Sequence, residues 1–261
     1  MSRPQAVSNM VPDYEVRLLL NPTAVLSAEH DLVATVLSAF EMPLISTKMN
    51  IQFLDNSLKE LYAANWSARI RKVENEDNLE LTYKKRYAII GGHVEAALTA
   101  ANNDDFNAGD AKYEAQVEWG YQKQTLSVSR KKMVADPGRT GMDLPGTSNS
   151  RQLLIDNAPN KFDNWRPNKW GTSTLSVSRI FGPVFARRSV GLWNDMTLYL
   201  EIWPLLNVEG TGVEYTVEAS FKTKSHKKAS CEQANLATYL QSKGWLLAQD
   251  SLKTQLIMER Y

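Results

Sequence analysis

Polar and apolar residues alternate over much of the chain, and this period of two is typical of β-strands whose two faces meet different surroundings. The pattern predicts strands over residues 13–20, 48–54, 66–73, 79–87, 112–119, 184–192, 196–204 and 213–222. Residues 122–132 fit a strand or a helix equally well. So many short strands favour a mainly β (α+β) fold, in which helices flank an antiparallel barrel of eight strands.

The helical spacing of apolar residues predicts fewer helices than the alternation predicts strands. Residues 27–40 have this spacing and begin at Ser27, a favourable N-cap. A second clear helix is predicted over residues 231–243. Residues 135–171 are rich in Pro, Gly, Asn and Asp and show little periodicity. We therefore predict one domain over residues 1–261, with a long insertion or lid at 135–171.

In most of the predicted strands one face carries a charged row, and the other face carries an apolar row. Arg69 and Arg71 share a face, as do Glu114 and Glu118 on a later strand. A sheet with one face in the core and one face in water would explain this alternation. The close arginine pair and the clustered acids favour a second explanation, in which the charged rows line a barrel. Arginines there would bind phosphate oxygens, and carboxylates would bind Mg²⁺ or Mn²⁺.

The composition argues against several other kinds of protein. Thirty Lys and Arg against 29 Asp and Glu do not favour a protein that coats nucleic acid. The single cysteine, Cys231, cannot form an intrachain disulfide, which fits a reducing compartment. No apolar run is long enough to span a membrane, and no signal sequence is visible. We therefore predict a cytoplasmic protein without a membrane partner.

Several charged motifs follow one another along the first half of the chain. They are Asp-x-Glu-x-Arg from Asp13, Arg-x-Arg from Arg69, and Lys84 within LELTYK. Their order and spacing resemble the CYTH, or triphosphate tunnel metalloenzyme, superfamily, whose members open with Glu-x-Glu-x-Lys and continue with Arg-x-Arg and Leu-Thr-x-Lys. The resemblance is clearest over residues 13–118 and thinner over 184–220.

The resemblance implies a closed tunnel barrel and a role for each matching side chain. Phosphate would be bound by Arg17, Arg69, Arg71, Lys84 and either Arg187 or Arg188. Metal would be bound by Asp13, Glu15, Glu214 and Glu218. The catalytic or tunnel-lining carboxylates would be Glu114, Glu118 and Glu201. The chain departs from the family motif at Asp13 and Arg17, and Gln116 interrupts an acidic row. These departures weaken a site for two metals and leave a site with one metal, or one poor in metal, as an alternative.

The implied activity is metal-dependent hydrolysis of a triphosphate, either a nucleoside triphosphate, an inorganic polyphosphate or an RNA 5′-triphosphate. A cyclase or lyase acting on a di- or triphosphate is an alternative, as is a barrel that binds phosphorylated ligands without turnover. Tyr199 and Trp203 share the row of Glu201, where an aromatic wall would suit a base or an apolar tail. Lys253 lies in a tail without clear periodicity. We predict it to be at the surface; the alternative implied by the resemblance is that it folds back on the barrel mouth, as a late lysine does in some relatives.

Overall fold

The strands form one sheet that closes into a barrel in the computed structural model, which describes residues 7–136 and 141–261. The strands are β1 (Asp13–Leu20), β2 (Thr47–Asp55), β3 (Trp66–Val73), β4 (Asn78–Ile89), β5 (Glu114–Trp119), β6 (Gln124–Ala135), β7 (Arg179–Trp193), β8 (Met196–Leu206), β9 (Val213–Thr223) and β10 (Leu246–Leu247). The order around the barrel is β1-β5-β6-β4-β3-β2-β7-β8-β9, and β9 pairs with β1 to close the ring. The short β10 pairs with the end of β1.

The predicted mainly β barrel with flanking helices is confirmed, but the ring has nine strands among the described residues instead of eight. The additional strand is β6, which covers most of the stretch 122–132 that fitted a strand or a helix. Leu126 and Val128 are buried in the core, whereas Ser129 faces the barrel interior, so the two faces of β6 differ as in the other strands. β1 and β5 run parallel, unlike the other described pairs, and the long connection between them allows this arrangement.

Helices occupy the connections between the strands. They are α1 (Pro22–Val25), α2 (Ala34–Ala39), α3 (Glu60–Ala63), α4 (Val94–Asn103), α5 (Thr147–Asp156), α6 (Asn160–Asp163), α7 (Trp170–Ser176), α8 (His226–Ser242) and α9 (Lys253–Arg260). The predicted helix over 27–40 is wrong in its first half, because the chain turns at His30, where φ is 63°, and becomes helical again at Ala34. The predicted helix over 231–243 is present and begins earlier, at His226.

The apolar rows of the strands face outward, and the helices cover them. Val16 and Leu18 of β1 belong to one large buried cluster with Leu236 and Leu240 of α8. The outer surface of the barrel, beneath the helices, is therefore apolar. The charged side chains of the strands point to the interior. No helix among the described residues combines the length and apolar character needed to cross a membrane.

The described part of the predicted segment 135–171 packs against the outside of the barrel. Residues such as Leu154 and Phe162 are fully buried in the outer core, and the Tyr83 hydroxyl of β4 donates a hydrogen bond of 2.5 Å to the Leu154 carbonyl. None of its described residues lines the central cavity. The predicted lid therefore does not lie over the cavity in the part that the structure describes, and residues 137–140 fall outside it.

The C-terminal helix α9 packs on the inner side of the barrel. Ile257 and Met258 are buried in a second cluster with Met49, Ile51 and Phe53 of β2, which also face the central cavity. The interior thus has an apolar side covered by α9, while charged residues occupy the other strands. This division places the C-terminal segment beside the charged cavity.

Candidate functional site

A cavity of about 270 Å³ lies inside the barrel, and charged side chains form most of its wall. Its cationic residues are Arg17, Arg69, Arg71, Lys84, Arg86, Lys131, Arg188, Lys222 and Lys253, and its acidic residues are Glu15, Glu80, Glu201 and Glu218. The predicted charged rows therefore face inward, and the alternative in which they face water is wrong. Nine cations against four carboxylates leave an excess of positive charge, which favours an anion.

Two arginines of β3 stand side by side over one carboxylate of β4. Arg69 Nη2 lies 2.6 Å from Glu80 Oε1, and Arg71 Nη2 lies 2.7 Å from Glu80 Oε2. Burial would raise the pKa of Glu80, but the two guanidinium groups lower it to about 2, so this carboxylate stays ionised. Glu80 thus holds both arginines in fixed positions on the cavity wall.

Several donors on this wall are not used within the protein. The Nε atoms of Arg69 and Arg71 and Nε2 of Gln116 are buried and have no hydrogen-bond partner among the described residues. All three side chains line the cavity. Buried donors without acceptors are costly, and they indicate that a ligand or solvent supplies the missing oxygen atoms.

Glu118 lies at the centre of a second group of cations. Its carboxylate is 2.6 Å from Arg17 Nη2, 2.7 Å from Lys84 Nζ and 3.7 Å from Arg86 Nε. Its side chain is 1% exposed, and it lies in a smaller adjoining cavity and not on the main wall. Burial raises the pKa of Glu118, but the cations outweigh burial and keep the pKa well below its usual range. Glu118 therefore serves here as a charge partner and is a poor proton acceptor.

Lys253 enters the barrel from the first turn of α9. Its Nζ atom donates to Glu201 Oε2 at 2.6 Å and to Glu218 Oε1 at 2.7 Å, and its side chain is 16% exposed. The prediction of a surface lysine is therefore wrong. No periodicity in the tail indicates this position, because the position depends on how α9 folds back onto β8 and β9.

The C-terminal segment is fixed just before Lys253. The carboxylate of Asp250 accepts hydrogen bonds from the backbone N–H groups of Tyr121, Gln122 and Lys123, at 2.6, 2.9 and 3.1 Å. A Cβ atom at Gly120 would lie only 2.0 Å from Asp250 Oδ1, so glycine is required at this close approach. The turn between β5 and β6 thereby positions the chain that carries Lys253.

Most of the sequence-predicted site residues meet in this interior. Those that line the main cavity are Glu15, Arg17, Arg69, Arg71, Lys84, Arg188, Tyr199, Glu201 and Glu218. Arg188 donates to Glu201 Oε1 through Nε at 2.9 Å and Nη2 at 2.6 Å, and it stacks over the Tyr199 ring at 5.2 Å. Of the two candidate arginines on β7, Arg188 is therefore the one on the cavity wall.

Besides Glu118, four predicted residues lie outside the cavity. Asp13 is exposed at the start of β1, Glu114 pairs with Lys131 at 2.7 Å with its side chain 68% exposed, and Glu214 is exposed and lies 3.0 Å from Arg260. Arg187 projects outward and pairs with Asp31. Asp13, Glu114 and Glu214 have the strand parity of the interior rows but lie near strand ends, whereas Arg187 has the opposite parity.

The arrangement of the described acidic side chains does not suit a resident metal. No group of three His, Cys, Asp or Glu side chains suited to a metal ion occurs in the part of the chain that the structure describes. Of the four predicted ligands, Glu15 and Glu218 line the cavity, whereas Asp13 and Glu214 are exposed. Glu15, Glu214 and Glu218 each pair with a different cation. Carboxylates that already accept from ammonium or guanidinium groups do not suit a protein-bound divalent cation.

Sequence reasoning missed several residues of the wall. Arg86 lies two positions after Lys84, and Lys222 lies two positions after Ser220, so the alternation contained the signal for both. Lys131 lies on β6, whose strand character was left open. Glu80 has the same strand parity as Lys84, but nothing in the sequence indicates that it bridges two arginines.

The chain matches no family model and no curated protein sequence. Among solved structures it is similar to a proposed adenylyl cyclase from Hippeastrum, described as having a dominant triphosphatase activity, with 14% identity, a TM-score of 0.55 and 94% of each chain covered. It is also similar to a proposed adenylate cyclase from Bacillus halodurans, with 11% identity, a TM-score of 0.51 and coverage of 96% of this chain and 98% of the other. At these identities the similarity concerns the fold alone, and the closed barrel agrees with the tunnel barrel that the resemblance of the charged motifs implies.

Proposed function

We propose that this protein is a phosphohydrolase that binds the triphosphate group of its substrate inside the barrel. The unused donors of Arg69, Arg71 and Gln116 are the observation that carries the proposal, because they are buried, line one cavity and lack acceptors among the described residues. Phosphate oxygens are acceptors of the right charge and geometry for guanidinium groups. The dominant triphosphatase activity described for the Hippeastrum protein supports the same substrate class.

The size of the cavity favours a compact anion. A volume of about 270 Å³ is near the lower end for ligand pockets, so it suits a short polyphosphate or the triphosphate part of a larger molecule. A nucleoside or an RNA 5′ end would then extend from the mouth of the tunnel. Cytoplasmic location remains a prediction that accords with such substrates.

The lining residues supply electrostatic stabilisation to the reaction. Arg69, Arg71 and Lys84 would stabilise the charge that develops on the transferred phosphoryl group as water attacks the terminal phosphorus. Among the buried carboxylates, Glu118 and Glu201 have lowered pKa values, whereas burial raises the pKa of Glu218. We therefore assign the acceptance of the water proton to Glu218, in place of the predicted Glu114, Glu118 and Glu201.

We expect the activity to depend on Mg²⁺ or Mn²⁺, and we propose that this ion enters the barrel bound to the triphosphate. The carboxylates of the barrel are paired with cations and do not suit a resident ion. A divalent cation bound to phosphate oxygens would lower the negative charge of the leaving group. The residues named above bind and orient the anion whether or not this ion accompanies it.

The proposal is tested by thermal stability and product analysis with tripolyphosphate, ATP and pyrophosphate, each with Mg²⁺, with Mn²⁺ and with a chelator. A ligand of the native state raises the melting temperature by mass action, and hydrolysis releases orthophosphate. Cyclic or eliminated products would instead support the cyclase or lyase alternative, and binding without product would support a binding barrel. If the folded protein shows no rise in melting temperature and no product with any of these anions, the proposal of an anion-binding tunnel is wrong.

The pH dependence of anion binding gives a separate prediction for Lys84. Burial lowers the pKa of Lys84 to about 8, with Glu118 and Glu15 acting to raise it and Arg86 to lower it. A bound anion favours the charged ammonium, so tripolyphosphate affinity should be highest below this pKa and fall as pH rises through it. Titration calorimetry on both sides of this pH measures the effect.

Lys84→Arg is the matched variant for this experiment, because a guanidinium group keeps its charge over the same range. We expect its affinity to change little as pH rises through the pKa of Lys84. The same fall in affinity for both proteins would show that another group is responsible.

A further inference from the structure

The ammonium group of Lys253 lies between two carboxylates that face each other across neighbouring strands. Glu201 of β8 and Glu218 of β9 are directly paired in register, and Lys253 Nζ lies 2.6 and 2.7 Å from their oxygens. The Trp203 ring lies 4.7 Å from Nζ and adds a cation–π contact. Because Asp250 fixes the preceding chain and Ile257 is buried behind it, the ammonium has a defined position.

Two adjacent buried carboxylates need a cation between them. Their repulsion in a poorly solvated interior is large, and oxygen ligands of this kind bind hard divalent cations elsewhere in proteins. In this barrel both oxygens of Glu201 and Oε1 of Glu218 already accept protein donors. Glu201 Oε2 accepts from Lys253 and, at 2.9 Å, from Trp203 Nε1, while its Oε1 accepts two bonds from Arg188.

We infer that the Lys253 ammonium takes the place of a resident divalent cation, so that the tunnel binds a polyphosphate without a metal held by the protein. The anion-binding half of this inference rests on the proposed function, and the absence of a resident ion does not. With nine cations on the wall, the protein itself supplies the positive charge that a bound metal would otherwise provide.

The first test is Mn²⁺ binding without any anion, followed by electron paramagnetic resonance and calorimetry. Wild-type protein should show no site that fills stoichiometrically. Lys253→Met keeps the length of the side chain but leaves Glu201 and Glu218 without their shared cation, so we expect Mn²⁺ affinity to rise at least about tenfold. Lys253→Arg retains a cation and should resemble the wild type.

Lys224→Met provides the control, since Lys224 is exposed and lies outside the cavity lining. It should leave Mn²⁺ binding unchanged. Stoichiometric Mn²⁺ binding by wild-type protein overturns the inference, as does a folded Lys253→Met variant that binds Mn²⁺ no better than wild type. If Lys253→Met does not fold, the wild-type titration decides the question alone.

The second test is tripolyphosphate binding in the presence of a chelator. Wild-type protein should bind the anion there, whereas Lys253→Met should regain affinity only when Mn²⁺ is added. A wild-type protein that binds tripolyphosphate with Mn²⁺ but not with chelator overturns the inference. If no anion binds under any condition, the proposed function fails, and the Mn²⁺ titration still decides whether Lys253 replaces a metal.

Discussion

Replacement of Glu118 by glutamine is expected to lower the free energy of unfolding by about 3 kcal/mol, because it leaves buried cations without their counter-ion. Glu118 is 1% exposed and lies within 2.7 Å of both Arg17 and Lys84, with Arg86 at 3.7 Å. Glutamine has nearly the same shape but no charge, so packing is preserved while the attraction is lost. Urea denaturation at neutral pH measures the difference in unfolding free energy between wild type and Glu118→Gln. If this free energy depends equally steeply on urea concentration in both proteins, they expose similar surface on unfolding.

The same substitution should strengthen anion binding while it weakens the fold. Arg17 and Lys84 would then meet the bound tripolyphosphate without competition from Glu118, and we expect affinity to rise about tenfold, or about 1.4 kcal/mol. The two effects have opposite signs, which a general loss of structure cannot produce. Calorimetry on the folded variant measures the affinity.

Glu114→Gln is the matched control, since Glu114 lies on the same strand but its side chain is 68% exposed and pairs with Lys131 at the end of the strand. Its unfolding free energy should change by less than about 0.5 kcal/mol. Equal destabilisation of the two variants, or unchanged anion affinity in Glu118→Gln, would contradict the role of Glu118 as the counter-ion of these cations.

Alternation was sufficient to predict most strands and the composition of their two faces. Rows such as Arg69 and Arg71 fall on one side of a strand whatever the tertiary structure is, because side chains of a strand point alternately to two faces. Whether that side faces water or a tunnel depends on closure of the sheet. The close arginine pair favoured the tunnel because two neighbouring guanidinium groups are better satisfied by anions than by water alone.

Depth within the tunnel could not be predicted in the same way. Asp13 and Glu15 have the same parity, yet Asp13 is exposed near the rim and Glu15 lines the cavity. Glu214 and Glu218 differ in the same manner on β9. Parity fixes the face, but the stagger of neighbouring strands fixes the height, and that stagger depends on pairings between residues distant in sequence. The predicted metal ligands were dispersed for this reason.

Identical local sequence also adopts two conformations in this chain. The hexapeptide TLSVSR occurs at residues 125–130 and again at 174–179. The first copy lies within β6, while the second begins in α7 and ends where β7 starts. The first copy pairs with β4 and β5. Its strand conformation is therefore set by pairing with distant residues and not by the local sequence. The same kind of context positions Lys253, whose own sequence gives no sign of burial.

Replacement of Arg69 by methionine is expected to weaken tripolyphosphate binding about 100-fold, equivalent to about 2.7 kcal/mol. Arg69 lines the cavity and has a buried Nε donor without a partner among the described residues, while its Nη2 donates to Glu80 and, at 3.0 Å, to Thr82 Oγ1. Its loss removes both a fixed charge and a directed hydrogen bond. Arg69→Lys retains the charge without the planar fork, so we expect an intermediate loss of about tenfold. Calorimetry with tripolyphosphate measures all three affinities.

Arg187→Met is the matched control, because Arg187 lies on the outside of β7 and pairs with Asp31. It removes the same side chain from the same barrel and should leave affinity unchanged. A folded Arg69→Met variant that binds as tightly as wild type would mean that the unpaired donors of the wall are satisfied by solvent alone. The arginine pair would then hold Glu80 and the strands in place, and its alignment along the cavity would no longer be evidence for an anion site.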